Sequence, residues 1–195
     1  MTEKKTRRVN LYYLASVALM TALVFVSNYI ASPAFQISGG GETRFHVANG
    51  FCLLAGFLLG PLGGGFAAGV GSMLYDFTNP MFIASSPFTL VFKFAMGAVC
   101  GLIAYGGHAD AKRTARNIVA ALAGNLLYIL LFMTQSYLSD RIVRGFTHTA
   151  ALVDVAGMSV VSLINCAVAV VIAVPLAFAI RAALDRSNLN PRSRR

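Results

Sequence analysis

The sequence predicts an all-α membrane protein, a bundle of six transmembrane helices with both termini on the cytoplasmic side. Hydrophobic residues make up 57% of the chain and charged residues only 12%, whereas soluble domains carry roughly 25% charged residues. The apolar residues form long runs separated by short basic connections. The 195 residues allow one compact bundle, expected over residues 1–182, and a basic cytoplasmic tail, residues 183–195, that we expect to be disordered.

Helix 1 is predicted over residues 11–31. The basic residues that precede it resemble the start of a signal peptide, but the apolar run continues to Ile30 without a clear small-residue cleavage site. We therefore expect this segment to remain in the protein as a transmembrane helix.

Residues 47–75 predict a pair of short helices, helices 2 and 3. The segment runs 29 residues without a charge and is interrupted by Gly60, Pro61 and the glycines at 63–65. A straight helix of this length would reach roughly 43 Å, whereas the apolar core of a bilayer is about 30 Å thick. The segment is too long for one span and too short for two full spans and a turn. We therefore predict two short helices joined by a tight hairpin.

The remaining apolar runs predict helix 4 over residues 88–105, helix 5 over 118–138 and helix 6 over 153–180. Twelve Lys and Arg residues lie before helix 1, between helices 4 and 5, or after helix 6, against Arg44, Arg141 and Arg144 on the other side. The positive-inside rule then places both termini in the cytoplasm. We therefore expect the basic residues that give the net charge of +9 to contact membrane lipid headgroups, and we expect no nucleic-acid partner.

The sequence carries no catalytic, metal-binding or nucleotide-binding motif, so we expect neither an enzyme nor a cofactor. Cys52, Cys100 and Cys166 each lie within an apolar run, without metal-ligand spacing, and are interpreted as packing residues. The segment GPLGGG resembles a phosphate-binding loop but lacks the Lys-Ser/Thr that such a loop requires. We therefore expect the chain to have no ATPase activity of its own.

Polar residues near the predicted outer face form a candidate binding site. Lys93 lies inside helix 4, where a buried ammonium is costly unless paired, so it either contacts a ligand or forms a salt bridge with Asp76. The other candidates have ordinary alternative roles as solvated interface residues, helix caps or interhelical hydrogen bonds. The substrate-binding candidates are Arg44, His46, Asn49, Tyr75, Asp76, Asn79, Lys93, Asn125, Tyr128 and Asn165.

The connection between helices 1 and 2, SPAFQISGGGETRFH, is longer than a simple turn requires. Its glycines give hinge freedom and its two phenylalanines offer apolar cover, so the segment is either a lid over an outer pocket or a flexible loop. Nearby aromatic residues form either a ring-stacking wall or an interfacial aromatic belt. These residues are Tyr75, Phe77, Phe82 and Phe88.

Three features occur together in this chain. They are the segment LLGPLGGGFAAGVGSMLYDF, a lysine within helix 4 after a proline-containing turn, and six predicted spans with cytoplasmic termini. In this combination the chain resembles the substrate-binding S components of energy-coupling factor (ECF) vitamin transporters. The resemblance covers residues 9–182 and is closest to the riboflavin/pyridoxine/hydroxymethylpyrimidine-like branch.

Helix 1 also contains ALMTA, in which Ala18 and Ala22 are four residues apart. This spacing looks like the Ala-xxx-Ala patch by which such S components dock on the shared transmembrane T subunit. Small residues at this spacing allow helix backbones to approach closely. Helix 6 carries the same spacing at Ala169, Ala173 and Ala177, so the pattern alone is weak.

The resemblance implies that the chain binds a water-soluble vitamin or related heteroaromatic precursor in an outward-facing pocket. A T subunit and two ATPase subunits would then topple the chain in a prokaryotic-type plasma membrane and release the solute inside.

Two other classes stay open. A secondary transporter usually shows internal repeats, and the two halves of this chain show no convincing self-similarity. A small intramembrane enzyme needs a catalytic constellation, and the nearest set, Arg44, His46, Asp76 and Lys93, has no recognisable spacing.

Overall fold

The computed structural model describes residues 11–30, 35–36, 42–43, 45, 47–106 and 113–186. Within these residues the chain forms five α-helices, a single 3-10 turn at Ile83–Ser85, and two short strands. The strands β1 (Phe35–Gln36) and β2 (Glu42–Thr43) pair antiparallel, with Phe35 opposite Thr43. The helices are α1 (Leu11–Ser27), α2 (Ala48–Thr78), α3 (Ser86–Tyr105), α4 (Thr114–Ile142) and α5 (His148–Arg186).

Four segments in the described part of the chain are long and apolar enough to cross a membrane, and α1 is a shorter apolar helix. These segments are α2, the 3-10 turn with α3, α4, and residues 148–184 of α5. Length and composition thus indicate a multi-pass membrane protein.

Helix α2 is broken at Gly60, as the glycine and proline cluster predicts. Gly60 has φ 76° and ψ −169°, a backbone conformation that favours glycine, and Pro61 follows it. The break divides α2 into a first arm, residues 48–59, and a second arm, residues 61–78. The Cys52 Sγ and Ser72 Oγ atoms, one on each arm, are 3.7 Å apart. The two arms therefore run antiparallel as a tight hairpin.

The first arm lies at the centre of the bundle, where every residue from 48 to 60 except Phe51 is buried. Glycines allow the neighbouring backbones to touch it. A Cβ built on Gly64 would lie 2.7 Å from the Gly56 backbone nitrogen, and one built on Gly56 would lie 2.7 Å from the Gly97 carbonyl oxygen. The second arm and α3 thus pack on the first arm without intervening side chains, as is common between membrane helices.

Three helices donate hydrogen bonds to the last turn of the first arm. Pro61 has no N–H group for the Phe57 carbonyl oxygen, its helical partner. The hydroxyl group of Tyr105 donates to that oxygen at 2.5 Å, and the Arg181 guanidinium donates to it as well. The Tyr13 hydroxyl donates to the Leu59 carbonyl oxygen at 3.1 Å. α1, α3 and α5 are thereby attached to the helix break.

These contacts place the start of α1 and the end of α5 at the same end of the bundle, beside Gly60, which we call the hairpin end. At the opposite end the Tyr29 and Thr78 hydroxyl oxygens are 2.7 Å apart, joining the end of α1 to the end of α2. We call this the cavity end.

The observed helix limits differ from the predicted ones. α1 ends at Ser27 rather than at residue 31, whereas α4 and α5 extend past both predicted limits. Hydropathy detects only the apolar part of a helix, so the polar end turns of α4 and α5 gave no signal. Arg181, which we had counted as a charge after helix 6, lies within α5 and is only 9% exposed. α5 also continues into the predicted tail, of which residues 187–195 lie outside the described part.

Gly64→Ala is expected to lower the midpoint of thermal unfolding in detergent, because the added methyl group would collide with the Gly56 backbone. Overpacking of this kind costs about 1–3 kcal/mol. Gly106→Ala is the matched control, since nothing lies within 4 Å of a Cβ built there. Equal midpoints for the two variants would show that the arms are not packed this closely.

Candidate functional site

A cavity of about 430 Å³ opens at the cavity end of the bundle. Helices α2, α3, α4 and α5 all contribute to its wall, together with the 3-10 turn before α3. Asn49 in the first turn of α2 and Asp76 in its last turn both line it. The hairpin of α2 therefore brings two residues that are far apart in sequence to one site.

Lys93 forms the polar inner part of the cavity. Its side chain extends from the second turn of α3, and its ammonium group donates to the Asn49 side-chain oxygen. The same nitrogen lies 3.9 Å from the centroid of the Tyr128 ring on α4, a cation–π contact. Lys93 and Asn49 are 3% and 2% exposed. Three helices thus enclose one positive charge.

Aromatic rings form the walls beside this charge. Phe88 and Phe92 lie one turn apart on α3, with ring centroids 6.0 Å apart. On α4, Tyr128 and Phe132 have nearly parallel rings, at 6.0 Å and an interplanar angle of 7°. All four residues line the cavity. Such walls suit a flat ring system that carries hydrogen-bonding groups at its edge.

The outer part of the cavity is hydroxylated and charged. Ser136, Ser139 and Asp140 follow Phe132 along α4, and Arg144 lies just past the helix. The Arg144 guanidinium is 3.2 Å from the Asp140 carboxylate. Because α4 rises 1.5 Å per residue, the lining from Tyr128 to Asp140 extends for about 18 Å. The cavity is therefore an elongated slot rather than a small round pocket.

Five of the ten predicted substrate-binding residues line this cavity. They are Asn49, Asp76, Lys93, Tyr128 and Asn165. Sequence analysis left open a salt bridge between Lys93 and Asp76. The contacts that the structure gives the Lys93 ammonium are instead with Asn49 and Tyr128.

Three predicted residues lie outside the cavity lining. Tyr75 packs edge-on against Tyr29 at 4.9 Å between ring centroids. Asn79 accepts a hydrogen bond from the Met81 backbone N–H at 3.1 Å and so closes the turn after α2. Asn125 donates to the Ala121 carbonyl oxygen within α4, at 3.2 Å. These roles in packing and turns are the ordinary alternatives for such residues.

Arg44 and His46 lie outside the described residues, as does most of the predicted lid. Of that connection the structure describes the β1–β2 ladder, residue 45 and the entry to α2. The sequence analysis predicted no strands in this connection, and whether it acts as a lid stays a prediction.

Sequence analysis missed much of the α4 face. Phe132, Ser136 and Asp140 follow Tyr128 at intervals of four residues, so they share one side of the helix. Phe132 and Ser136 lie within predicted helix 5, and extending that helix beyond residue 138 would have added Asp140 to the same polar and aromatic stripe. Arg144, which we had used only for topology, lines the cavity as well.

The two alanine patches, on α1 and α5, differ in their exposure. Ala18 and Ala22 are both exposed on α1, on the side away from α2. The similarly spaced Ala169, Ala173 and Ala177 on α5 are each 0% exposed and belong to the core. Of these two patches, the alanine pair on α1 is therefore the one that another helix could contact.

The side chains of this site are suited to binding a small molecule. Among the described residues there is no cluster of three or more His, Cys, Asp or Glu side chains that could hold a metal ion. The cavity combines an enclosed ammonium, side-chain amides, hydroxyl groups and aromatic walls, the combination typical of a small-molecule site.

Comparison with known proteins gives the family. Residues 8–182 match the family model described as ECF-type riboflavin transporter, S component. A solved structure titled "Structure and mechanism of the S component of a bacterial ECF transporter" matches with a TM-score of 0.63 at 20% identity, covering 88% of this chain and 96% of that one. At this identity the structural match supports the fold alone. No curated protein matches. Because the family model covers nearly the whole sequence, this chain belongs to the family of ECF-type riboflavin transporter S components.

Proposed function

We propose that this chain captures a water-soluble heteroaromatic vitamin in the cavity-end slot, and that riboflavin is the first solute to test. The observation that carries this proposal is the enclosed Lys93 ammonium between aromatic walls. An ammonium that donates hydrogen bonds suits the carbonyl oxygens and ring nitrogens at the edge of a flavin ring.

The shape of the slot supports a flavin-sized solute over a one-ring vitamin. Its volume is about 430 Å³, within the usual range for sites that enclose an organic ligand. The aromatic residues flank its middle, where a ring system would stack. The serines and the Asp140–Arg144 pair lie farther out, within reach of a hydroxylated chain on the ring.

We further propose how the chain is oriented in the membrane and which subunits it works with. In this proposal the two arms of α2 cross the membrane as separate short spans, making six, and the hairpin end faces the cytoplasm of a prokaryotic cell. Arg116 donates to the Gly106 carbonyl oxygen and Arg181 to the Phe57 carbonyl oxygen. Two of the cations predicted to be cytoplasmic therefore lie at that end, which supports this orientation. The slot then opens outward. A T subunit and two ATPase subunits supply the energy, because the sequence carries no nucleotide-binding motif.

Lys93→Met is expected to weaken riboflavin binding by about 2–3 kcal/mol, the size of a buried charge-assisted hydrogen bond. Isothermal titration calorimetry with the purified chain measures this. Arg141→Met is the matched control, because Arg141 is an exposed cation at the same end that donates to the Phe146 carbonyl oxygen and does not line the slot.

Thermal unfolding of the same samples separates binding from folding. If Lys93 only balances a structural charge on Asp76, Lys93→Met alone should destabilise the protein and Lys93→Met/Asp76→Leu should restore it. Wild-type riboflavin affinity in that double variant would contradict the binding role of both residues.

Ala18→Leu/Ala22→Leu is expected to keep riboflavin binding and abolish uptake, because bulkier side chains hold the T subunit's backbone away from α1. The measurement is uptake of labelled riboflavin by cells that express all the subunits. Ala167→Leu/Ala179→Leu, at two exposed alanines on α5, is the matched control. Normal uptake with the α1 variant would remove the docking role.

A further inference from the structure

The hairpin of α2 places a buried acid beside the hydrogen bond between Lys93 and Asn49. The Cys52 Sγ and Ser72 Oγ atoms of the two arms are 3.7 Å apart. Asn49 lies three residues before Cys52 and Asp76 lies four residues after Ser72, which is about one helical turn in each case. Because the arms run antiparallel, both turns lead towards the cavity end. Asn49 and Asp76 therefore lie side by side in the wall of the slot.

This wall carries a cation and an anion that are both buried. Lys93 is 3% exposed and Asp76 is 4% exposed, and both line the slot. Opposite charges attract each other strongly where water is excluded. The contacts of the Lys93 ammonium are nevertheless with Asn49 and with the Tyr128 ring. The ammonium and the carboxylate are thus two neighbouring but separate groups in the slot.

The two groups differ in the hydrogen bonds that they can make. An ammonium has three N–H donors and no acceptor, so the Lys93 ammonium can donate to a ligand as well as to Asn49. An ionised carboxylate only accepts, and its two oxygens have about four lone-pair positions. Asp76 can therefore accept from a ligand N–H group in addition to its contacts within the protein. A ligand that satisfies both groups presents an acceptor and a donor on neighbouring atoms.

The –CO–NH– edge of a flat ring meets this requirement. In a lactam or imide ring, the carbonyl oxygen and the N–H group lie on adjacent atoms and point outward in the plane of the ring. The nearly parallel Tyr128 and Phe132 rings offer a surface on which such a ring can stack. A ring edge that only accepts, as in a pyridine, would satisfy the ammonium and leave the carboxylate facing a group that cannot donate. Sites built around a buried hydrogen bond reject ligands that cannot make it.

We propose that Asp76 is a specificity-determining residue that, together with Lys93, selects heteroaromatic solutes with a –CO–NH– ring edge. The ammonium donates to the ring carbonyl oxygen, and the carboxylate accepts from the neighbouring ring N–H group. The proposal rests on the proposed function, because the slot must be the solute site, and it adds the chemical group that a solute needs. Riboflavin carries such an edge on its ring system.

Isothermal titration calorimetry of the purified full chain with riboflavin and 3-methylriboflavin tests this proposal. The methyl group replaces the ring N–H and leaves both neighbouring carbonyl oxygens in place. The wild type should bind 3-methylriboflavin about 10- to 100-fold more weakly than riboflavin, because the buried carboxylate then lacks its donor. Equal binding of the two compounds by the wild type would overturn the proposal.

Asp76→Asn separates the hydrogen bond from the bulk of the methyl group. Asn has nearly the shape of Asp, so a steric effect would survive this substitution, whereas the charged acceptor is lost. The preference for riboflavin should therefore shrink severalfold in Asp76→Asn. Asp154→Asn is the matched control and should keep the wild-type preference, because Asp154 is a buried aspartate outside the slot lining.

Thermal unfolding of the same samples verifies that each variant is folded. A folded Asp76→Asn variant with the full wild-type preference, or loss of the preference in both variants, would contradict the specificity role. If Asp76→Asn does not fold, the comparison of the two ligands in the wild type decides the question.

A smaller pair of ligands separates failure of this proposal from failure of the proposed function. If the wild type binds neither riboflavin nor its methyl derivative, riboflavin is not its solute. Quinazoline-2,4-dione and its 3-methyl derivative then offer the same ring edge, with and without the N–H group, on a smaller ring system. Thermal stabilisation of the chain by the parent compound alone would support selection of the –CO–NH– edge. Equal stabilisation by the two compounds, or none by either, would overturn it.

Discussion

The architecture depends on how the protein satisfies the carbonyl oxygens at the helix break before Gly60. A buried carbonyl oxygen without a donor is costly, and in an apolar bundle no bulk water can replace the missing N–H group. Tyr13, Tyr105 and Arg181 supply the donors, one each from α1, α3 and α5. The break that shortens the central helix therefore also determines which helices surround it.

This constraint at one end of the molecule creates the site at the other. A first arm that ends at the break begins at the cavity end, where Asn49 can accept a hydrogen bond from Lys93. Glycine contacts between the arms and α3 keep these backbones close, so the Lys93 ammonium is fixed by packing rather than by a salt bridge. The aromatic and hydroxylated face of α4 then completes the slot.

The all-helical fold could be predicted from sequence, because the long apolar runs mark the helices. The hairpin could also be predicted, since Gly60 and Pro61 interrupt a run too long for one span. Individual site residues were harder. An intramembrane lysine is informative because its burial is costly, whereas amides such as Asn125 serve local hydrogen bonds equally well. Asp140 and Arg181 were missed because hydropathy cannot show that a charged residue near a helix end turns inward.

The central claim is that the slot opens to the outside and holds the solute. In intact cells, with the native cysteines replaced, a membrane-impermeant maleimide should label Ser139→Cys in the slot, and saturating riboflavin should reduce that labelling. Gly106→Cys, beyond α3 at the hairpin end, should react only after the cells are permeabilised. Labelling of Gly106→Cys in intact cells, or labelling of Ser139→Cys that riboflavin leaves unchanged, would contradict the account.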